Sequence, residues 1–384
     1  MMKTIDSRTC DGRNGADLSV NKHAARLIAL YLPQFHPIPE NDEWWGKGFT
    51  EWTNVAKANP LFPRHYQPHV PADLGFYDLR VPETRKAQAE MAREYGIEAF
   101  CYYHYWFAGK RLLERPFNEV LESGEPDFPF CLCWANHTWA GIWSGAPNRV
   151  LIEQTYPGYD DHREHFAVLL KAFTDRRYVT VDGKPLFVIY KPSEIPEVKK
   201  VTDLWREMAE EAGLKGLYLV GFSWEPSFVP QDHGFDGSTD GQRLDNLLLG
   251  VSPRRKPITW LTRMFRAKLG KPTVYSYKEV LPELLKDNGL RDGEYPCVTP
   301  NWDNTPRSGS NGVVLKGSTP ELFRSGLRKA LQMIQNLPSE HRLIFVKSWN
   351  EWAEGNHLEP DLRFGKGYLQ VIKEEMENSV PKLH

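Results

Sequence analysis

The stretch LIFVKSWNEWAEGNHLEP, residues 343–360, joins a short apolar run to a polar and aromatic segment. Leu343 to Trp349 has the length and composition of a buried strand. The residues after it supply three carboxylates, Glu351, Glu354 and Glu359. Buried strands that end in polar side chains are typical of parallel β/α barrels, in which functional groups gather at the carboxyl ends of the strands. The stretch therefore predicts a barrel strand and its functional end.

Similar apolar runs recur along the chain, and most are followed by a loop and a stretch with helical periodicity. The predicted strands are Leu27–Leu32, Ala99–Tyr103, Phe130–Trp134, Leu186–Tyr190, Leu217–Phe222, Phe235–Ser238, Cys297–Trp302 and Leu343–Trp349. Eight strands are the number that a closed (β/α)8 TIM barrel requires. The pattern thus predicts an α/β fold, a (β/α)8 TIM barrel with long βα loops.

Helices are predicted between these strands, at Glu83–Tyr95, Asp161–Phe173, Val198–Ala212, Tyr277–Asn288, Pro320–Asn336 and Gly367–Asn378. Before the Pro320 helix, Thr319 is suited to cap the free backbone N–H groups. Pro320 itself fits the first helical position, where a missing N–H has no effect. These helices would cover the outside of the sheet.

At 384 residues the chain could form two ordinary domains or one barrel with long loops. The strand count favours a single barrel domain over residues 27–384, preceded by a disordered polar arm, residues 1–26. The arm contains no signal-peptide segment, and the chain has no apolar run of membrane length. We therefore expect a cytoplasmic protein without a transmembrane segment.

Two predicted connections, Pro33–Pro82 and Thr239–Ser276, are far longer than ordinary βα loops. Loops of this length commonly form walls or lids of functional sites. The second contains the basic amphipathic stretch SPRRKPITWLTRMFRAKLGKP. This stretch is either a solvated excursion or a contact with anionic lipid or an acidic carrier.

The composition favours some classes of binding partner over others. Lys plus Arg number 48 against 50 Asp plus Glu, so the net charge of −2 provides no strong field for nucleic acid. Thirteen Trp and sixteen Tyr would suit a ligand with flat apolar faces, such as a sugar, unless most of these rings belong to the core. The five cysteines form no C-x-x-C pair and are expected to be reduced structural thiols.

Seven of the eight predicted strands end in motifs that combine aromatic rings with polar groups, and the remaining motif, DGSTDG, is polar only. The seven motifs include YYHYWF, CWANHTW and PNWDNTPR. Aromatic platforms beside hydrogen-bonding groups favour a carbohydrate cleft. The predicted substrate-binding residues are Tyr31, Gln34, Trp45, Glu51, Trp52, Tyr103, His104, Trp106, Trp134, Asn136, Tyr190, Trp224, Asp236, Asn301, Trp302, Asn350, Trp352 and Glu359.

Glu351 and Glu354 are the predicted catalytic residues, since cleavage of a glycosidic bond usually needs two carboxyl groups. On a continuing strand they would face opposite ways. A helical turn after Asn350, which Gly355 would permit, brings their Cβ atoms to about 5–6 Å. Neighbouring tryptophans would raise the pKa of one carboxyl group. A purely structural ion pair with a nearby Lys or Arg is the alternative.

Three histidines near strand ends, His36, His104 and His137, raise the question of a metal. No H-E-x-x-H or comparable spacing supports one. We therefore expect no metal and no cofactor, and assign these imidazoles to hydrogen bonds with substrate or with neighbouring side chains.

Together, IALYLPQFHPIPENDEWWGKGFTEW, YYHYWF, CWANHTW, PNWDNTPR and SWNEWAEGNHLEP resemble the WbsX-like proteins, a bacterial branch related to glycoside hydrolase family 99. The resemblance runs from about Leu27 to Tyr368. It implies a (β/α)8 barrel. The hydrolase relatives are endo-acting α-mannosidases and α-mannanases that retain anomeric configuration through a 1,2-anhydro sugar intermediate.

The relatives carry the motif N-E-W-x-E-G, which corresponds here to residues 350–355. By this resemblance Glu351 would be the base that acts on the sugar 2-hydroxyl, and Glu354 the general acid and then base. Ala353 stands where the mannosidases typically have histidine, a departure that bears on the choice of sugar. WbsX-like proteins also accompany genes for O-antigen, lipopolysaccharide and other polysaccharide biosynthesis.

Three functions follow from this pattern. The first is a retaining glycoside hydrolase or transglycosidase for an α-mannose- or rhamnose-type polysaccharide. The second is a glycosyltransferase of surface-polysaccharide assembly, although the chain has no D-x-D motif and no phosphate-binding glycine loop. The third is an inactive glycan-binding barrel, which would not need both glutamates. The glycan, its linkage, endo or exo action and the oligomeric state are not encoded in any recognisable motif.

Overall fold

The computed structural model describes residues 25–141, 149–223, 228–239, 266, 269–285 and 290–379. Nearly all of the predicted arm, residues 1–26, lies outside the described residues, as does most of the basic amphipathic stretch. Trp224, one of the predicted substrate-binding residues, also lies outside them. The single-domain organisation over 27–384 stays a prediction.

Parallel strands form the centre of the molecule. They are β1 (Arg26–Tyr31), β2 (Ala99–Phe107), β3 (Phe130–Trp134), β4 (Lys184–Ile189), β5 (Tyr218–Phe222), β6 (Gly237–Thr239), β7 in two pieces (Glu294–Tyr295 and Cys297–Val298) and β8 (Leu343–Val346). Pro296 separates the two pieces of β7, because proline has no backbone N–H to donate to the ladder.

The strand order closes into a ring. It runs from β7 through β6, β5, β4, β3, β2 and β1 to β8. The first piece of β7 pairs with β6 and the second pairs with β8, where Cys297 lies opposite Phe345. These pairings confirm the (β/α)8 barrel, with eight strand positions built from nine parallel segments.

The α-helices are α1 (Pro39–Trp45), α2 (Glu51–Ala56), α3 (Pro82–Glu94), α4 (Arg115–Ser123), α5 (Tyr159–Phe173), α6 (Val198–Glu211), α7 (Tyr277–Leu284), α8 (Thr305–Ser308), α9 (Pro320–Ile334) and α10 (Gly367–Asn378). At the start of α9 the Thr319 side chain accepts a hydrogen bond from the backbone N–H of Leu322 at 3.3 Å. This cap confirms the sequence-based prediction. Among the described residues, no helix combines the length and apolarity that crossing a membrane requires. The expected cytoplasmic location stays a prediction.

Short strands and 3-10 turns lie in the connections between the barrel strands and the helices. The strands outside the barrel are Lys110–Leu112, Trp139–Ala140, Val150–Ile152, Thr180–Val181, Thr273–Ser276, Val313–Lys316, Asn350–Glu351 and Asn356–His357. Single 3-10 turns cover Pro192–Glu194, Pro230–His233, Gly309–Asn311, Ser339–His341 and Trp352–Glu354. The long first connection is built around α1 and α2 and covers the carboxyl end of β1.

Strand ends differ from the sequence-based prediction where the chain leaves the barrel. β2 continues four residues further, to Phe107, whereas β8 stops at Val346 instead of Trp349. After β8 the backbone N–H of Trp349 donates to Leu30 of β1, so the chain turns across the barrel mouth. The predicted helix Tyr277–Asn288 ends at Leu284. All four residues of β8 are fully buried, as both faces of a parallel barrel strand usually are.

Candidate active site

The segment after β8 forms a compact turn. Asn350–Glu351 pairs antiparallel with Asn356–His357, and the 3-10 turn Trp352–Glu354 lies between them. Gly355 closes the turn with a φ of 59°, a left-handed conformation that favours glycine. A Cβ atom there would also lie only 2.9 Å from the Cβ atom of Asp303. The helical turn predicted after Asn350 is therefore present.

Arg307 joins three glutamates in this region. Its Nη1 donates to Glu354 Oε1 at 2.7 Å, and its Nη2 donates to Glu351 Oε2 at 3.2 Å. Its Nε donates to Glu51 Oε2 at 3.0 Å. The guanidinium is 15% exposed, and the three carboxylates are more deeply buried. The structure thus brings both predicted catalytic residues together, with an arginine between them.

Burial raises the pKa of Glu351 to about 8. The neighbouring charge of Glu354 acts in the same direction, while Arg307 opposes the shift. A carboxyl group with this pKa keeps its proton at neutral pH. The guanidinium of Arg307 remains charged: burial lowers its pKa, but the surrounding glutamates raise it well above the usual value. The site therefore combines a carboxyl group whose pKa is raised with the fixed positive charge of Arg307.

Aromatic rings and a lysine surround the pair. Burial, and next the charge of Glu351, raise the pKa of both Tyr103 and Tyr105. Lys347 is buried, with Nζ 5.1 Å from the centre of the Trp302 ring and 5.9 Å from that of Tyr190. The described residues around Glu351 therefore include phenols, an ammonium group and an indole, a set suited to sugar hydroxyls and ring faces.

Asp303 fixes the arginine-bearing segment against the turn. Its Oδ2 accepts from Gln67 Nε2 at 2.8 Å and lies 2.7 Å from His65 Nε2. Its Oδ1 accepts from the Thr305 hydroxyl at 2.6 Å, just before Arg307 in the chain. Its backbone N–H donates to the carbonyl oxygen of Glu354 at 2.6 Å. Three segments that are distant in the sequence are thereby joined around the turn that carries Glu351 and Glu354.

Glu359 is held by hydrogen bonds from the surrounding scaffold. Its Oε2 accepts from Trp352 Nε1 at 2.6 Å and from the Tyr77 hydroxyl at 2.8 Å, and its Oε1 accepts from Gln88 Nε2 at 2.7 Å. Tyr31 in turn donates to Gln88 at 2.7 Å. Glu359 and Tyr31 therefore belong to a buried hydrogen-bond network between β1, α3 and the turn. Their polar atoms have protein partners, so these contacts order the loop, and the prediction that the two residues contact substrate stays a prediction.

His104, Trp106 and Trp134 point toward helix α5 instead of the barrel mouth. His104 Nε2 lies 2.9 Å from His165 Nε2, and Trp106 donates to Asp161 at 3.0 Å. The Trp134 ring centre lies 4.7 Å from that of His165. These three predicted substrate contacts are core residues. In strands that are buried on both faces, composition does not distinguish inward from outward side chains.

Other residues that were predicted to contact substrate form hydrogen bonds or ring contacts within the protein. Asn350 bonds both backbone groups of Leu32, and Asn136 bonds the N–H and carbonyl groups of Lys191. The Trp52 ring is buried between those of Phe35, Tyr77 and Trp352. Trp352 itself is fully buried. These contacts connect the segments at the carboxyl end of the barrel.

Asp236 lies at the opposite end of the barrel, because it precedes β6 instead of ending it. It accepts from Arg206 at 2.7 Å and from the backbone N–H of Leu219 at 2.8 Å. The predicted strand began two residues too early, which placed this aspartate wrongly. The remaining predicted contacts, Gln34, Trp45 and Asn301, are partly exposed and follow β1 and β7 in the chain.

The sequence-based prediction missed Arg307, Tyr105 and Lys347. Arg307 and Tyr105 lie in the motifs PNWDNTPR and YYHYWF, and Lys347 opens the segment after β8. Tyr105 lies between two predicted contacts, His104 and Trp106. Arg307, in contrast, is five residues after Trp302, and Lys347 is three residues before Asn350. A lone arginine among loop residues, however, gives no indication of its partners.

The solved structures that this chain resembles are glycoside hydrolase-like barrels. One is described as a glycoside hydrolase-like protein, with 16% identity, a TM-score of 0.56 and coverage of 95% of this chain and 97% of that one. Another is the GH99 endo-alpha-mannosidase from Bacteroides thetaiotaomicron, with 15% identity, a TM-score of 0.55 and coverage of 94% and 99%. At these identities the likeness shows the fold alone, a TIM barrel.

The chain belongs to the family described as Glycosyltransferase WbsX, whose model matches residues 27–372. Curated relatives in two strains of Xanthomonas campestris pv. campestris, each described as uncharacterized protein WxcX, are 40% identical over 358 residues. The match covers 92% of this chain but 50% of each relative, so the chain spans about half their length.

Proposed function

We propose that the chain is a retaining glycoside hydrolase or transglycosidase that acts on an α-linked mannose- or rhamnose-type polysaccharide. The observation that supports this most is the convergence of Glu351 and Glu354 on Arg307 at the carboxyl end of the barrel. Paired carboxyl groups are the usual machinery of glycosidic cleavage. The fold shared with an endo-α-mannosidase gives further support.

In the proposed first step, ionised Glu351 removes the proton of the sugar 2-hydroxyl, and the 2-oxygen bonds to the anomeric carbon. The bond from that carbon to the leaving oxygen breaks as Glu354 donates its proton to that oxygen. In the second step, water attacks the anomeric carbon and gives its proton to Glu354. The bond between the 2-oxygen and the anomeric carbon breaks, and Glu351 returns the proton to the 2-oxygen. Two inversions give net retention.

This scheme starts with the proton on Glu354, whereas the pKa of about 8 keeps it on Glu351 in the empty site. Arg307 also contacts Glu354 more closely, which favours the ionised form of that glutamate. We infer that substrate moves the proton. A 2-hydroxyl that donates to Glu351 stabilises its ionised form, and a leaving oxygen that accepts from Glu354 stabilises its protonated form.

Leaving-group dependence tests this assignment. An activated aryl glycoside needs little protonation, so Glu354→Gln should regain activity on it while Glu351→Gln should not. The reverse pattern would exchange the two roles. Equal and unrescued loss in both variants would argue against a separate acid and base.

The proposed activity itself is tested with defined mannose- and rhamnose-containing oligosaccharides. Mass spectrometry should detect a cleaved or transferred product, and NMR at early times should show retained anomeric configuration. Inverted product would exclude the proposed intermediate. Binding measured by calorimetry without any turnover would instead favour an inactive glycan-binding barrel.

A glycosyltransferase is the second candidate, because the family description names that activity. Incubation with nucleotide sugars and an acceptor distinguishes the two. Product that forms only with a nucleotide donor, with release of free nucleotide, would replace the hydrolase proposal. Product that forms from oligosaccharide alone would support it.

A further inference from the structure

Three potential metal ligands meet behind the turn that carries Glu354. His69 comes from the long connection after β1, and His357 and Asp361 come from the segment after β8. All three are buried, and one ligand atom from each lies within 4.8 Å of the others. We propose that His69 Nδ1, His357 Nε2 and Asp361 Oδ2 bind a divalent transition metal of the zinc class.

The distances suit such an ion. His69 Nδ1 lies 3.0 Å from His357 Nε2, which lies 3.9 Å from Asp361 Oδ2. Tetrahedral zinc with bonds of about 2.0–2.1 Å places its ligand atoms about 3.3 Å apart. All three ligand atoms lie within 4.8 Å of one another, so their separations would have to change by at most about 1.5 Å to complete the site. Three protein ligands leave a fourth position for water.

The tautomer of His357 is already correct for binding. Its Nδ1 lies 2.9 Å from the backbone carbonyl oxygen of Glu359, which can only accept a hydrogen bond. Nδ1 must therefore carry the hydrogen, and in the neutral ring Nε2 presents its lone pair to His69 and Asp361. Metal-binding histidines typically donate their second N–H in this way.

Asp361 is oriented by its other oxygen. Oδ1 accepts from the backbone N–H groups of Arg363 at 3.0 Å and Phe364 at 2.7 Å, so Oδ2 is the atom directed at His357. The two segments are also joined by backbone hydrogen bonds from Ala72 to Pro360 and from Leu362 to Val70, both of 2.9 Å. The ligands are thus held in place by their backbones. Because His69 Nδ1 donates to His357 Nε2 in the hydrogen bond between the two rings, His69 would have to carry its hydrogen on Nε2 instead when the metal binds.

A second pair of histidines provides a comparison, because it lacks the carboxylate that the proposed metal site contains. His104 and His165 also approach to 2.9 Å, but the rings of Trp106 and Trp134 enclose them. Within the part of the chain that the structure describes, His69, His357 and Asp361 form the single group of three potential ligands. A carboxylate next to two imidazoles distinguishes it.

A metal here would join the first and the eighth barrel loops. The His357 ring stacks on Trp352 at a centre-to-centre distance of 3.8 Å, and Trp352 begins the turn that ends in Glu354. The ion would therefore stabilise the turn from behind without contacting the sugar. This role does not depend on the proposed glycosidase activity.

The test is zinc binding by chelator-treated full-length protein, followed by titration calorimetry and thermal unfolding. We expect one Zn²⁺ per chain and a higher Tm with zinc. His357→Gln and Asp361→Asn should each lower the affinity by at least about tenfold. The control is His341→Gln, which removes a histidine paired with Asp182 at 3.0 Å elsewhere on the surface and should leave affinity unchanged.

Substitution with Co²⁺ provides a second measurement that is independent of folding stability. A tetrahedral histidine–carboxylate site should give visible absorption that disappears in Asp361→Asn, whose fold is checked by circular dichroism. Zinc affinity and cobalt absorption that are the same in wild type, His357→Gln and Asp361→Asn would overturn the proposal. The same conclusion would follow from the absence of binding to wild type, and the two histidines would then form only a hydrogen bond.

Discussion

Glu351 and Glu359 are buried glutamates eight positions apart after the same strand, yet their surroundings differ. Burial raises the pKa of Glu351 to about 8 and that of Glu359 to about 7. Glu351 contacts the charged guanidinium of Arg307 at 3.2 Å. Glu359 accepts hydrogen bonds from Trp352, Tyr77 and Gln88.

The difference shows that a raised pKa does not by itself identify a catalytic residue. Both oxygens of Glu359 are occupied by donors from the scaffold, so the group has little capacity to exchange protons with a ligand. Glu351 has a single, longer contact to an arginine that also serves two other carboxylates. The charges and donors around a glutamate decide its role.

The largest expected effect is the loss of turnover that Glu351→Gln causes. Loss of a general acid or base typically costs about 10²–10⁴-fold in rate. We expect a loss of kcat/KM in this range on any oligosaccharide that the wild type cleaves, with normal folding. Glu359→Gln is the matched control and should retain most of the activity. Equal losses in the two variants would remove the distinction between these glutamates.

Arg307→Met should destabilise the fold because it leaves Glu51, Glu351 and Glu354 without their shared cation. Removal of one partner of a buried ion pair typically costs about 3–5 kcal/mol of unfolding free energy. The control is Arg163→Met, which breaks an exposed pair with Asp160 and should cost about 0–1 kcal/mol. Urea denaturation measures both. Similar values would show that Arg307 is not a structural centre of the site.

Glu359→Leu should cost about 1–3 kcal/mol of unfolding free energy for each buried donor left without an acceptor. Glu359→Gln should cost much less, because its amide oxygen can accept from Trp352 and Tyr77 and the Gln88 amide can rotate to accept from the new NH2 group. Denaturant unfolding of both variants measures the difference. Equal stability would contradict the network.

The pH dependence of stability is a separate test of the raised pKa of Glu351. Its folded pKa of about 8 exceeds the ordinary 4.5, so the folded chain keeps a proton that the unfolded chain releases. Between these pH values the wild type loses stability as pH rises, whereas Glu351→Gln has no such loss. The stability of the variant relative to wild type should therefore increase from pH 5 to pH 8. A flat difference would mean that the pKa is not raised.

Much of the fold could be predicted from the sequence because barrel strands are continuous apolar runs separated by turn signals and helical periods. The Thr319 cap and the turn between Asn350 and Gly355 are local features, so a few neighbouring residues specify them. For the same reason Glu351 and Glu354 could be selected as a pair. Their separation along the chain is three residues, and one helical turn brings them together.

The sequence by itself determined the barrel pattern, the glutamate pair and the side of the barrel on which functional groups gather. Only the tertiary structure decided that Arg307, 44 residues before Glu351, links that glutamate to Glu51. It also decided that His104 faces a helix. The physical reason is that strands buried on both faces carry apolar and aromatic residues throughout, so orientation and distant charge partners depend on closure of the barrel.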